Sequence, residues 1–214
     1  MKNKVCHTFM LAAVLFLTAL TASAQSEHPV TANLGGGFTP LTGNLSRRLD
    51  NGWHFTGGAG YNVHGPFSLG LQFTYNGFGV NRSTLAQAGA PNGDSHVWSL
   101  TVDPKMQLPF GSKFKPYVVG GVGYYRRTVN FTQPALRRVT FYDPFFGYLF
   151  PGLVPTNQVL ATVTRDGIGG NLGAGWEVKL GNSGAHLFTE ARYHYAATGS
   201  VPTRMVPLTI GVRF

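Results

Sequence analysis

The chain has 214 residues, a net charge of +9, frequent glycine and aromatic residues, sparse charge and a single cysteine. Its length suits one domain, and one cysteine excludes an intramolecular disulfide. The basic balance is not accompanied by a nucleic-acid recognition motif, so we expect no nucleic-acid partner.

Residues 1–24 have the layout of a secretory signal peptide. Lys2 and Lys4 precede an apolar run, Phe9 to Ala19, and 22–24 form a small-x-small cleavage site. A retained membrane anchor is the alternative, but the run is too short to span a bilayer comfortably. Cys6 precedes this run, so no lipid anchor is predicted. We therefore expect export and a single mature domain over 25–214.

Eight segments of alternating apolar and polar residues predict strands in the mature chain. They are Val30–Thr39, Trp53–Asn62, Phe67–Tyr75, His96–Leu108, Pro116–Tyr125, Ile168–Leu180, Ala185–Ala196 and Met205–Phe214. The fifth is ambiguous in its facing, and Pro104 within the fourth predicts a bulge or kink. No segment of the mature chain has the ~20 apolar residues of a transmembrane helix.

The last strand illustrates the facing pattern. Its apolar positions are Val206, Leu208, Ile210, Val212 and Phe214, and Arg213 lies on the other face. Elsewhere the polar faces hold mostly small residues, whereas aromatic residues of the apolar faces lie near strand ends. This distribution is typical of lipid-facing strands, and lipid requires a closed barrel. A soluble barrel that binds a small ligand is the alternative, with more charge expected on its outer face.

Loop lengths alternate along the chain. The short connections centre on 64–66, 110–114 and 181–184, and the long ones are 40–52, 76–95, 126–167 and 197–204. With an even strand number, the short turns and both termini lie on the periplasmic side. The predicted fold is therefore all-β: an eight-stranded antiparallel up-and-down transmembrane β-barrel with short periplasmic turns and longer extracellular loops.

Four motifs carry a resemblance to a known family. They are GWHFTGGAGY (52–61), PYVVGGVGYYRR (116–127), FTEARYHY (188–195) and VPLTIGVRF (206–214). The chain resembles the small eight-stranded outer-membrane barrels typified by the membrane domain of outer membrane protein A. The resemblance implies a monomer in the cell outer membrane, and recognition of Phe214, Val212 and Ile210 by the barrel assembly machinery. No peptidoglycan-binding domain follows residue 214, so a wall-anchoring role is not expected.

Charged residues of the polar faces are predicted to form an interior network. They are Asp103, Lys105, Glu177, Lys179, Glu190, Arg192 and Arg213. A structural plug of paired charges is favoured, because an unpaired buried charge is costly. An ion gate, and hence a narrow small-solute channel, is the alternative. His54, His186 and His194 also face inward without metal-ligand spacing, so no metal or cofactor is expected.

The long loops are rich in arginine and, in one case, in aromatic residues. Arginine pairs bidentately with phosphate, which suggests lipopolysaccharide and outer-membrane lipid as partners, although ordinary loop solvation explains the charge as well. Loop 126–167 holds the candidate surface-contact residues Arg137, Arg138, Phe141, Tyr142, Phe145, Phe146, Tyr148 and Phe150. A packed structural loop is favoured over partner binding, a lid or a protruding hairpin.

An enzyme is not expected. Some small outer-membrane barrels deacylate lipid A with a His-x-Ser-Asn motif, and His194 lies in a similar place. Here Tyr195, Ala196 and Ala197 follow it, so the nucleophile and the asparagine are missing. The expected function is a structural or envelope-integrity role, or surface interaction through the long loops.

Overall fold

The computed structural model describes residues 29–109, 114–181 and 184–214. The predicted signal peptide, 1–24, lies outside these ranges. The strands are β1 (Val30–Thr39), β2 (Gly52–His64), β3 (Phe67–Gly79), β4 (Asn92–Gln107), β5 (Phe114–Asp143), β6 (Tyr148–Lys179), β7 (His186–Ala196), β8 (Thr203–Met205) and β9 (Leu208–Arg213). A 3-10 turn, Gly43–Leu45, follows β1, and the short helix α1 (Arg82–Ala88) follows β3. Within the described ranges, the helices are too short or too polar to cross a membrane.

The strands close into a ring. Each strand from β1 to β6 pairs antiparallel with the next, β7 pairs with both β8 and β9, and β9 returns to β1. Val206 and Pro207 separate β8 from β9, but Val206 N donates to Pro40 O and Arg192 N donates to Pro207 O. The two segments therefore form one wall strand, and the predicted eight-stranded up-and-down barrel is confirmed.

The apolar face of the wall lies outside and the polar face inside, which is the reverse of a soluble barrel. In β9, Thr209 and Arg213 are buried inside, whereas Leu208 and Ile210 on the outer face are about half exposed. Aromatic residues lie at both ends of this outer belt. The ring centroids of Trp98 and Tyr124 are 5.4 Å apart at the loop end, and those of Phe114 and Trp176 are 6.2 Å apart at the other end. An exposed apolar belt with aromatic borders suits lipid on the outside.

Of the bulge or kink that the sequence predicts at Pro104, the bulge is absent. The register between β3 and β4 is unbroken past Leu69↔Pro104, and that between β4 and β5 is the same at Val102↔Val122 and Lys105↔Val119. Only the two intervening pairs with β5 are missing from the ladder. Since proline has no N–H to donate, the strand accommodates it as a local gap in hydrogen bonding rather than as an inserted residue.

The predicted loop 126–167 is instead a hairpin made by long extensions of β5 and β6. The two strands pair from Phe114↔Val178 to Asp143↔Tyr148, with Leu160 as the extra residue of a bulge. Pairing of β4 to β5 ends at Asn92↔Thr132, and pairing of β6 to β7 begins at Gly169↔Ala196. From the pair Gln133↔Gln158 outward, the hairpin is a two-stranded ribbon. The packed loop favoured from the sequence is therefore wrong, and the protruding hairpin is the observed alternative.

Candidate functional site: the filled interior and the extended hairpin

Arg192 of β7 is the centre of the polar interior. Its Nη1 donates to Asp103 Oδ2 over 2.6 Å, and its Nε and Nη2 bind the two carboxylate oxygens of Glu190, the second over 3.1 Å. Nη2 also donates to Gln72 Oε1 over 2.8 Å. The guanidinium is thus held by two carboxylates and an amide, which is the pairing that a buried charge requires.

A second group of charges surrounds Glu177 of β6. Lys105 Nζ lies 2.9 Å from Glu177 Oε1, and Arg213 of β9 forms an ion pair with the same oxygen. Arg213 also lies over the ring of Phe188, 4.9 Å from its centroid, and both cations lie over Tyr117. The aromatic rings cover the parts of these cations that the carboxylate does not reach.

The predicted interior network is therefore present with one exception. Six of its seven members lie inside the barrel, and their three acidic and three basic side chains balance. Lys179 is exposed at the last residue of β6. Lys179 follows Glu177 by two residues and therefore faces the same side of the strand. However, it lies where the wall ends and solvent replaces the interior. The prediction that Lys179 joins the network is wrong for this reason.

Uncharged side chains that were not predicted also join the network. Tyr117 Oη donates to Glu190 over 2.9 Å, Asn171 Nδ2 donates to Asp103 over 2.8 Å, and Gln72 binds Arg192. Each occupies an inward position of its strand, so the alternation that located the charges could have located them too. Gly121 is required nearby, because a Cβ there would collide with the Asp103 carboxylate.

The interior leaves little free space. A cavity of about 40 Å³ lies beside Lys105, Arg192 and Arg213, and its lining also includes Gln72 and Asp103 of the network. This volume holds one or a few water molecules. A bare eight-stranded barrel is just wide enough for side chains, and the described residues fill it.

The predicted inward histidines have different environments. His54 Nδ1 is 2.9 Å from Thr39 Oγ1, and its Nε2 is 2.9 Å from Thr209 Oγ1. His194 Nδ1 is 2.9 Å from Tyr125 Oη. His186 is half-buried near the short-turn end. Among the described residues, no three His, Cys, Asp or Glu side chains could together hold a metal ion.

A cluster of apolar side chains closes the loop end of the barrel. We call it the mouth cluster; its buried members are Leu41, Leu45, Leu49, Phe78, Val80, Val97, Tyr125, Ala196 and Met205. The connection between β1 and β2 supplies three leucines at four-residue intervals around the 3-10 turn. The cluster was not predicted from the sequence, although that leucine spacing and the apolar residues at inward positions of β4 and β8 were available signals.

Arginines lie around the loop end of the barrel. Arg127 and Arg165 are directly opposite on β5 and β6. Arg127 Nη1 donates to Thr203 Oγ1 over 3.2 Å, and Arg126 is 3.4 Å from Asp166. Arg204 lies 5.3 Å from the ring centroid of Tyr195 on the outer face. Like charges facing each other are unfavourable without an anion between them.

The end of the hairpin concentrates apolar surface. We call residues 141–150 the aromatic tip. Phe145 and Phe146 in the turn are 92% and 78% exposed. The predicted contact residues Phe141, Tyr142, Tyr148 and Phe150 all lie in this tip, whereas Arg137 and Arg138 precede it on β5. These residues therefore lie on an extended hairpin rather than in the packed loop that the sequence favoured, and their role in surface contact stays a prediction.

A family model described as the outer membrane protein beta-barrel domain matches residues 9–214. The chain belongs to this family. Its members are outer-membrane barrels, so the exposed apolar belt faces the lipid of the outer membrane. No curated protein sequence matches the chain.

Three solved structures are similar to the chain to different degrees. Neisserial surface protein A (NspA) is 18% identical with a TM-score of 0.50, covering 86% of this chain and 94% of that one. Ail, the attachment invasion locus protein of Yersinia pestis, is 16% identical with a TM-score of 0.45, covering 86% and 96%. The N-terminal barrel of Pseudomonas aeruginosa OprF is 13% identical with a TM-score of 0.39, covering 87% and 98%. Of these three structures, NspA alone reaches a TM-score of 0.50, and at 18% identity this likeness concerns the fold alone.

The position of His194 bears on the enzyme alternative. The side chain is buried in the barrel interior and bonded to Tyr125, whereas acyl chains of lipid lie on the outer face. Tyr195 points outward beside it, and Ala196 is fully buried. A lipid-cleaving site needs its nucleophile and base next to the substrate, whereas the His194 side chain lies on the opposite side of the wall from the lipid.

Proposed function

We propose that this outer-membrane barrel, exported by its predicted signal peptide, acts by surface contact through the β5–β6 hairpin. The observation that carries the proposal is the ribbon itself. Residues 133–143 and 148–158 pair only with each other, and the ribbon ends in exposed phenylalanines. A large exposed apolar patch usually marks a contact site. None of the side chains in 134–157 is buried, so the ribbon does not contribute a core.

The interior of the barrel favours surface contact over the channel alternative. The charge network blocks its middle, and the mouth cluster covers its loop end. A solute would have to displace both paired charges and a packed apolar layer. The barrel then serves as a stable membrane anchor that presents the hairpin.

Lipopolysaccharide is the second partner in this proposal. Arg126 and Arg204 lie on the outer face at the loop end, next to the aromatic border of the outer belt. That is the depth at which the phosphates of an outer-leaflet lipid would lie, and arginine binds phosphate through two parallel hydrogen bonds. Such contacts would hold the barrel upright and strengthen the envelope around it.

Cells that display the protein test the surface role. The hairpin-deletion variant replaces residues 134–157 with an Asn-Gly turn between the partners Gln133 and Gln158. Attachment to polystyrene, attachment to epithelial monolayers and settling of cell suspensions are measured for equal amounts of folded barrel. We expect the deletion to lower at least one of them several-fold.

A linker in place of α1 is the matched control. This helix lies at the same end of the barrel and contributes no buried residue, so its replacement should leave attachment unchanged. Equal attachment of the wild type and the hairpin-deletion variant in all three assays would refute the surface role.

A further inference from the structure

We infer that the aromatic tip, residues 141–150, inserts into the headgroup region of an apposed lipid bilayer. The inference rests on the proposed surface role and names its partner. It goes beyond that role because a hairpin could equally contact a protein. The faces, the backbone and the charges of the hairpin each favour a lipid surface.

Both faces of the tip are apolar. On one face, Phe141 stacks on Phe150 at 5.7 Å, and Tyr148 lies 6.1 Å from Phe150. On the other face, Tyr142 and Leu149 are opposite each other and both about two-thirds exposed. A protein groove covers one face of a ribbon, whereas a bilayer surrounds an inserted tip on every side. Aromatic residues are also the side chains that prefer the membrane interface.

The backbone of the turn is satisfied from within the turn. Phe145 N donates to Asp143 Oδ1 over 2.8 Å, Phe146 N donates to the same oxygen over 3.3 Å, and Gly147 N donates to Asp143 O over 2.9 Å. Pro144 has no N–H. An amide that leaves water without a partner is costly. Because the turn amides are already bonded, the tip loses little hydrogen bonding when it leaves water.

The charges behind the tip suit an anionic surface. Between residues 133 and 158 the charged residues are Arg137, Arg138 and Asp143, and Asp143 is engaged in the turn. Arg138 precedes Asp143 by about 17 Å of strand, at ~3.3 Å per residue. Its long side chain can extend toward the tip, so both arginines come within reach of lipid headgroups once the phenylalanines have entered.

The reach of the hairpin favours an apposed bilayer over the membrane that holds the barrel. Residues 133–143 continue past the last β4 pair at Thr132 and extend about 35 Å further along the strand. The tip therefore lies well away from the apolar belt. To touch its own bilayer, the ribbon would have to fold back over its length.

Vesicle flotation with the full barrel held in lipid nanodiscs tests the inference. The vesicles are phosphatidylcholine alone or with a quarter of phosphatidylglycerol. We expect the wild type to float with the anionic vesicles, and the F145S/F146S variant to lose about ten-fold in binding, given the apolar area removed. R137Q/R138Q should bind both vesicle types equally. L136S/L153S, which removes exposed apolar residues from the ribbon behind the tip, is the matched control and should float normally.

A fluorophore at the tip distinguishes insertion into an apposed bilayer from insertion into the membrane that holds the barrel. The mature chain has no cysteine, so Phe145→Cys permits a single environment-sensitive label. We expect a blue shift only after vesicles are added. No flotation of the wild type, equal flotation of F145S/F146S, or a blue shift in the nanodisc alone would overturn the inference. If the hairpin-deletion variant still reduces cell attachment in those cases, the surface role stands and its partner is a protein.

Discussion

Arg192 joins parts of the barrel that the strand order keeps apart. It lies on β7, yet it bonds Asp103 of β4 and Gln72 of β3 across the interior. Glu190, two residues earlier on the same face, supplies the second carboxylate. One guanidinium therefore pairs with two acids and links β7 to β3 and β4, neither of which is its neighbour in the sheet. Its removal would leave both carboxylates in a low-dielectric interior.

The change Arg192→Met tests this role. We expect the free energy of unfolding to fall by about 3 to 5 kcal/mol, because removing one partner of a buried pair leaves an uncompensated charge. Urea titration of the barrel in phospholipid vesicles measures it. Lys179→Met is the matched control, since this exposed lysine should change stability by less than about 0.5 kcal/mol. Similar losses for both variants would show that burial of the pair is unimportant.

At the scale of elements, the connection between β1 and β2 acts as a cover. Its 3-10 turn directs Leu45 into the mouth cluster, where the side chain is 3% exposed. Leu41 and Leu49 flank it and are also buried. Although this segment is not part of the wall, it contributes the packing that closes the loop end.

Leu45→Ala should lower the free energy of unfolding by about 2 to 3 kcal/mol, because it leaves a cavity in a packed cluster. Thermal unfolding in micelles, followed by the mobility shift on unboiled gels, measures the loss. Leu136→Ala removes the same atoms from an exposed position of the ribbon and should have almost no effect. A loss below about 0.5 kcal/mol for Leu45→Ala would indicate that the cluster is not packed.

Removal of the hairpin, unlike Leu45→Ala, should barely change the free energy of unfolding. The hairpin-deletion variant should unfold within about 1 kcal/mol of the wild type, because the deleted residues carry exposed side chains. It should also keep the gel mobility shift. A deletion that prevents insertion into the membrane would mean that the ribbon belongs to the barrel core rather than to its surface function.

At the scale of the whole molecule, the barrel is a filled cylinder with a lipid-facing belt. Three acidic and three basic residues among the described interior positions balance. The mouth cluster lies beyond them at the loop end. Two layers therefore close the lumen: the charge network in its middle and the apolar mouth cluster at its loop end.

Planar bilayers test whether the lumen conducts. We expect no resolved conductance steps from heat-modifiable wild-type protein, and none from the hairpin-deletion variant, because both layers belong to the barrel itself. Resolved steps from the folded wild type, lost when Glu190→Gln alters the network, would instead support the channel alternative.

Alternation along strands predicted most of this architecture, because a two-residue period alone decides which side chains face lipid. It placed Asp103 and Arg192 inside correctly. It did not favour the hairpin, whose two strands contain Pro134, Pro151 and Pro155. In a two-stranded ribbon each strand has an open edge, so a missing N–H costs no ladder bond there. It misplaced Lys179 because periodicity fixes the side of a strand but not where the interior ends.

The ion pair between Arg213 and Glu177 has a consequence for how the molecule is made. Arg213 lies in the final strand, and Glu177 lies two strands away across β7. Before β9 docks, the interior holds three acids but only Lys105 and Arg192 to balance them. Joining the ends of the sheet and neutralising the interior are therefore a single event. An unfinished sheet would carry a surplus negative charge, which opposes its burial in hydrocarbon, so docking of the last strand removes an electrostatic cost as well as an open edge.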